Sequence, residues 1–132
     1  MQIVKYRFIV TVIMVMSLGI FFNQNASFAK RSTEDVVHLY MQSLISGDVG
    51  TLQQCLDKDL RERMKNTFQD PTEYRLFLIV RYEDAQYRIL EKQDRKNGQS
   101  SVTMEIEFKN HHKKRIQLYL NQKNKIFKEV VL

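Results

Sequence analysis

The 132-residue chain reads as a segregated α+β domain, helices first and then an antiparallel meander of about four strands. Three features carry that reading. Apolar residues from Val36 to Val80 recur at helical spacing, whereas from Tyr87 onward they recur every second residue. Ser32, Asp48 and Asp70 stand where helix caps belong, Asp70 directly before the chain's one proline, Pro71. Asn97-Gly98 lies between two alternating runs, the strongest short hairpin signal a sequence offers.

A leader precedes this domain. Met1–Arg7 carries Lys5 and Arg7 and no acid, Phe8–Phe22 is free of charge, and Ser27-Phe28-Ala29 places small residues at its first and third positions before Lys30-Arg31. That order predicts a secretory signal peptide cleaved after Ala29. The apolar run is short of the about 20 helical residues that a bilayer requires, so an uncleaved membrane anchor is the alternative. The expected organisation is residues 1–29 as signal peptide or anchor and residues 30–132 as one α+β domain. Its expected location is secreted or periplasmic in a bacterial envelope, or else anchored with the domain outside the cytoplasm.

The first helix starts at the Ser32 cap, with Asp35 supporting its first turn. It runs along Val36, Val37, Tyr40, Met41, Leu44 and Ile45, and stops at Gly47. Asp48 caps a shorter helix carrying Val49, Leu52, Cys55 and Leu56. Asp57-Lys58-Asp59 is expected to break it, with Leu60–Phe68 adding another helical turn or two around Leu60 and Met64. Asp70-Pro71 restarts helix, with Glu73 in an acidic first turn. Leu76–Val80 alone would also suit a strand, and the Asp-Pro start decides for helix.

In the first strand Tyr87 and Ile89 alternate with Arg88 and Leu90, up to Arg95–Gly98. The second is the clearest element: Val102, Met104, Ile106 and Phe108 point one way, and Ser101, Thr103, Glu105, Glu107 and Lys109 the other. Ile116, Leu118 and Leu120 form the inner face of the third, with Arg115, Gln117 and Tyr119 outward. Ile126–Leu132 closes the sheet. One face is therefore core and the other wet, as suits an antiparallel sheet covered on one side. On this register Ile106→Asp unfolds the domain and Glu105→Lys is tolerated.

Several residues carry the likeness to a known family. They are Glu34-Asp35-Val36-Val37, Tyr40-Met41, Leu44, Gly47-Asp48-Val49 and Leu52, then Tyr87-Arg88-Ile89, Asn97-Gly98 and Val102–Ile106. Together they resemble the cone-shaped, cystatin-like or nuclear-transport-factor-2-like superfamily. The nearest resemblance is to its small exported bacterial members, lumazine-binding-like domains of unknown function. The resemblance implies a sheet curled around a pocket, and a homodimer through the sheet. It is carried by core and cap positions rather than by chemistry. The chain departs from the pattern at the last strand, where such domains often carry Gly-Lys-Trp and this one has Asn124-Lys125-Ile126.

Chemistry-bearing residues are sparse. Cys55 is the sole cysteine, which excludes an intramolecular disulfide, and its place between Leu52 and Leu56 suits a buried inert thiol. Glu105 and Glu107 share the outer face, as solvated acids opposite basic residues rather than a catalytic pair. His38 lies on the flank of the first helix, and His111 and His112 are adjacent in a turn and point apart, so no metal or other cofactor is expected. No phosphate loop or nucleophile elbow occurs.

Charge is uneven. Lysine plus arginine total 21 against 15 acids, a net charge of +6. Lys109, Lys113, Lys114, Arg115, Lys123, Lys125 and Lys128 crowd the C-terminal end against Glu129 alone. Lys113, Lys114, Arg115 and Lys125 are the candidate basic interaction surface, for an acidic partner or phospholipid headgroups; export argues against nucleic acid. The same residues also suit a solvated face whose lysines guard sheet edges. Tyr40, Tyr74, Phe77, Tyr87, Met104 and Phe108 are the candidate lining of an apolar pocket between helices and sheet, with plain core filling as the alternative.

These readings converge on a non-catalytic, exported binding or protein-interaction module, holding a small apolar ligand in the cone or docking an unidentified protein. A membrane-anchored subunit of an envelope secretion complex is the alternative. An isomerase- or cyclase-like enzyme would need a buried acid or histidine facing the pocket, such as Asp84 or His38.

Overall fold

The computed structural model describes residues 31–132. The cleavage position after Ala29 and the apolar run 8–22 lie outside the described residues. Among the described residues, four α-helices precede a four-stranded sheet of order β1-β2-β3-β4, antiparallel throughout. The predicted α+β meander is the observed one. No helix among the described residues is long and apolar enough to cross a membrane.

Helix α1 (Thr33–Ser46) begins where Ser32 Oγ accepts the Asp35 backbone N–H at 3.1 Å. It ends at Gly47, which has φ 72°, a left-handed conformation favouring glycine. Its wide stripe, with Val36, Val37, Tyr40, Met41 and Leu44 all buried, lies on the sheet. Helix α2 (Val49–Cys55) is capped by Asp48, whose Oδ1 accepts the Thr51 N–H. Helix α4 (Pro71–Arg81) starts at the Asp70 cap and buries Leu78 alone.

Helix α3 (Lys58–Thr67) starts two residues before the expected Leu60–Phe68 turns. The Asp57-Lys58-Asp59 run, expected to break helix, instead starts one, because Asp57 Oδ1 accepts the Leu60 N–H at 2.9 Å. The Asp57 N–H in turn donates to Ile126 O at 2.8 Å, and Leu56 bridges Ile126 in parallel. The start of α3 is thus fastened to the sheet. No residue of α3 is buried.

In the sheet, β1 (Gln86–Asp94), β2 (Ser100–Glu107), β3 (Lys113–Leu120) and β4 (Ile126–Val131) come in the predicted order, and β2 and β3 keep the predicted alternation. Met104 pairs with Ile116 and Val102 with Leu118, forming the inner face with Ile106, Leu120 and Ile126, all buried. Burying each such side chain is worth about 1.5–3 kcal/mol, so this face rather than local propensity holds the helices on the sheet. The first hairpin closes with the Arg95 N–H on Gln99 O, around a turn in which Asn97 and Gly98 both take positive φ.

Two irregularities shift the strand register. One lies between Ile89 and Glu91 on β1 and leaves Leu90 as an extra residue. The other, opposite Tyr119 and Leu120, leaves Phe127 extra on β4. Such bulges bend and twist a sheet. Beyond them the facing changes. Lys92 turns inward to an ion pair with Glu34 on α1 at 3.4 Å, and Glu129, opposite Leu118, joins the inner face.

The outer face corrects one expectation. Glu105 is 7% exposed rather than solvated. Arg88 from β1 lies 3.1 Å from its Oε1 and Arg115 from β3 lies 3.2 Å from its Oε2, with Lys113 at 4.0 Å. The cross-strand partners are those expected, but their long side chains cover the carboxylate. Burial pushes its carboxyl up, yet hydrogen bonds from Arg115 and Arg88 and the charge of Lys113 outweigh this and hold it below the usual range. Glu105→Lys is therefore not a neutral change.

Candidate functional site

Where α1, α2, α3 and α4 come over β4, the inner face opens into a cleft of about 230 Å³. Its floor is Leu52, Leu56 and Ile126, and α3 supplies Leu60, Arg63, Met64 and Thr67. Tyr40, Leu44, Tyr74 and Glu129 complete the lining. Here the tethered start of α3 matters, because it positions a helix with no buried residue of its own as the outer wall.

Besides Arg63 and Thr67, the cleft carries one hydrogen-bonded polar pair. The Tyr40 hydroxyl donates to Glu129 Oε2 at 2.9 Å. Burial, reinforced by the negative charge of Glu129, raises the Tyr40 hydroxyl well above the ordinary tyrosine value. Burial and the neighbouring Tyr82 and Glu129 push Tyr74 up to about 12. Tyr82 is raised too, first by burial and then by Glu129, with Arg81 opposing. Three phenols are thus held neutral around one carboxylate.

The predicted pocket residues fall into separate places. Tyr40 and Tyr74 meet in the cleft. Phe77, on α4, stands behind Tyr74, both rings packed on Phe68, with centroids at 5.3 and 4.3 Å. Met104 is fully buried in the core. Tyr87 sits elsewhere, its hydroxyl 3.0 Å from His38 Nδ1. Phe108 lies just past β2 against Tyr82, with the Arg81 guanidinium 5.3 Å from its ring centre.

The predicted basic surface is also divided. Lys113 and Arg115 are engaged with Glu105 on the outer face, Lys114 takes the opposite side of β3, and Lys125 donates to the Gln54 carbonyl oxygen. Burial lowers the Lys125 ammonium below the usual lysine value. Asp84 and His38 are both exposed, Asp84 being 4.0 Å from Lys109. His111 meets Glu107 at 3.2 Å and His112 packs on Phe108. Among the described residues no group of three or more His, Cys, Asp or Glu side chains could hold a metal ion.

Sequence reasoning missed Glu129 and Arg63. Arg63 falls in Leu60–Phe68, expected only to add a helical turn or two around Leu60 and Met64, with no role read for its polar side. Strict alternation from Ile126 would turn Glu129 outward, and the extra Phe127 reverses it. The one available signal is that Glu129 is the lone acid in a strongly basic C-terminal stretch.

No family model matches the chain, and no curated protein matches it. Among solved structures, it is similar to a Campylobacter jejuni protein described as a "putative NTF2-like transpeptidase". The two share 20% identity with a TM-score of 0.51, over 77% of this chain and 98% of that one. Helices first and then a four-stranded antiparallel sheet thus make up an NTF2-like fold.

Proposed function

We propose that the chain is an exported, non-catalytic binding module that holds a small, largely apolar molecule in the cleft under α3. The observation that supports this best is the lining itself: leucine, methionine and isoleucine side chains around one oriented polar pair, Tyr40 and Glu129. Ligand sites of this kind combine an apolar wall with few fixed polar groups. A general base must lie within hydrogen-bond reach of the proton it takes, and a general acid needs a proton free to give. Neither a histidine nor a second carboxylate lines this cleft, and the Tyr40 hydroxyl is already committed to Glu129. Export rests on the basic, apolar and small-residue order of residues 1–29.

The reading is tested by titrating 2-phenylethanol, a small neutral probe, into isotope-labelled protein and mapping amide shifts. Shifts gathered on Tyr40, Leu56, Leu60, Tyr74 and Ile126, and lost in Leu60→Trp, are expected. Shifts confined to other surfaces would overturn the reading.

A second reading has its own observation. Leu76, Phe77, Ile79 and Val80 leave an apolar face of α4 exposed, which suits docking of a protein, as in an envelope-complex subunit anchored by residues 8–22. Co-purification of a partner that Val80→Asp abolishes would favour it; an unchanged partner set would remove it.

A further inference from the structure

The cleft bears two opposite charges that do not meet. Glu129 and Arg63 both line it, yet among the described residues Glu129 accepts only from Tyr40, and the Arg63 guanidinium has no hydrogen-bond or ion-pair partner. The Tyr40 donor occupies Glu129 Oε2 and leaves Oε1 open to a further donor. Tyr74 lines the same cleft and adds an aromatic side chain to its wall. Leu52, Leu56 and Ile126 beneath offer nothing polar to a ligand.

Resting on the cleft as the binding site, we propose that its ligand is a small zwitterion with an apolar body, an apolar amino acid or dipeptide. Its ammonium group meets Glu129 and its carboxylate meets Arg63. Each contact is charge-assisted: the carboxylate takes an N–H donor on its open oxygen, and the guanidinium fork suits a carboxylate acceptor. A ligand with one charge would leave one wall of the cleft unanswered, which is how a site rejects near relatives. The apolar side chain fills the floor.

The test uses four probes on the folded wild-type protein by calorimetry and amide-shift mapping: L-phenylalanine, 2-phenylethylamine, 3-phenylpropionate and 2-phenylethanol. L-Leucyl-L-leucine is added as the dipeptide arm. The zwitterions are expected to bind at the cleft, the amine and the acid each about tenfold more weakly. Glu129→Gln is expected to cost L-phenylalanine and the amine about tenfold while sparing the acid, and Arg63→Gln the reverse. The tighter of the amino acid and the dipeptide tells which spacing of charges the cleft takes. Equal binding of 2-phenylethanol and L-phenylalanine would overturn the zwitterion and leave the binding module standing. Absence of any probe from the cleft would overturn both.

Discussion

Tyr40 and Glu129 join the first helix to the last strand through a 2.9 Å hydrogen bond whose donor residue is 7% exposed and whose acceptor faces water. The asymmetry sets the cost of breaking it. In Tyr40→Phe the ring still fills its place, and the freed Glu129 oxygen is resolvated. The expected loss is about 1 kcal/mol in urea unfolding, the value of an ordinary hydrogen bond rather than of an orphaned buried one. Tyr40→Ala opens a cavity beside Leu44 and Leu52 and is expected to cost about 3–5 kcal/mol. Equal losses for the two variants would mean that the hydroxyl, not the ring, carries the contact.

The same tyrosines give the protein an alkaline limb. Tyr40, Tyr74 and Tyr82 hold their protons more tightly in the native state than the value of 10 they return to on unfolding. Stability that depends on the neutral hydroxyls is whole below pH 10 and is lost as pH climbs through the native values, about 12 for Tyr74. Phenolate absorbance should therefore lag in the native protein and appear together with unfolding. A smooth titration of Tyr40, Tyr74 and Tyr82 near pH 10 with the fold intact would contradict the burial of Tyr40.

How far the sequence carries this picture depends on what each element answers to. Caps are local chemistry, so Ser32, Asp48, Gly47 and Asp70 can be placed from their neighbours alone. The β2 and β3 faces are legible because strict alternation survives there. Glu129 is not legible, because one extra residue, Phe127, reverses the facing of all that follows, and the bulge is a property of the strand pair. The cleft residues of α3 escape for a related reason. Asp57 in sequence suits a breaker, while its capping role depends on a chain direction fixed by the Ile126 contact. The six aromatic and methionine candidates share only a residue type, which says nothing about which end of the sheet each one reaches.

Glu105 offers an acid-side counterpart. Its carboxyl lies below the usual value of 4.5 because the Arg115 and Arg88 contacts outweigh burial. The stability it contributes is present above that value and is lost as pH falls through the native one. Glu105→Gln should lower the melting temperature at pH 7 and flatten the decline on acidification. Glu105→Lys should fall further, since it sets a fourth positive charge among Arg88, Lys113 and Arg115. A Glu105→Lys melting temperature equal to wild type would show that the ion pairs are not formed.

Helix α4 separates burial from hydrophobicity. Leu78 is 2% exposed, and Val80, two residues on, is 74% exposed. Leu78→Ala is expected to cost about 2–5 kcal/mol through the cavity it leaves. Val80→Ser should stay within about 0.5 kcal/mol, as surface changes do. A strand over residues 76–80 would place Leu78 and Val80 on one face and make the two losses alike, so unfolding of the pair in urea decides the element as well as the register.

Gly47 is where helix end and helix packing meet. Its φ of 72° is left-handed, and a Cβ added there would stand 2.8 Å from Ile79 Cγ1 and 3.1 Å from Arg75 Cγ. Gly47→Ala therefore carries a backbone cost of about 1–2 kcal/mol plus a displacement of Ile79. Shortening Ile79 removes the second part and not the first. Gly47→Ala is expected to lose more than the backbone cost alone, and adding Ile79→Ala should return part of that loss, a coupling that a double-mutant cycle measures. Strict additivity of the two substitutions would place α4 farther from the end of α1 than the contact requires.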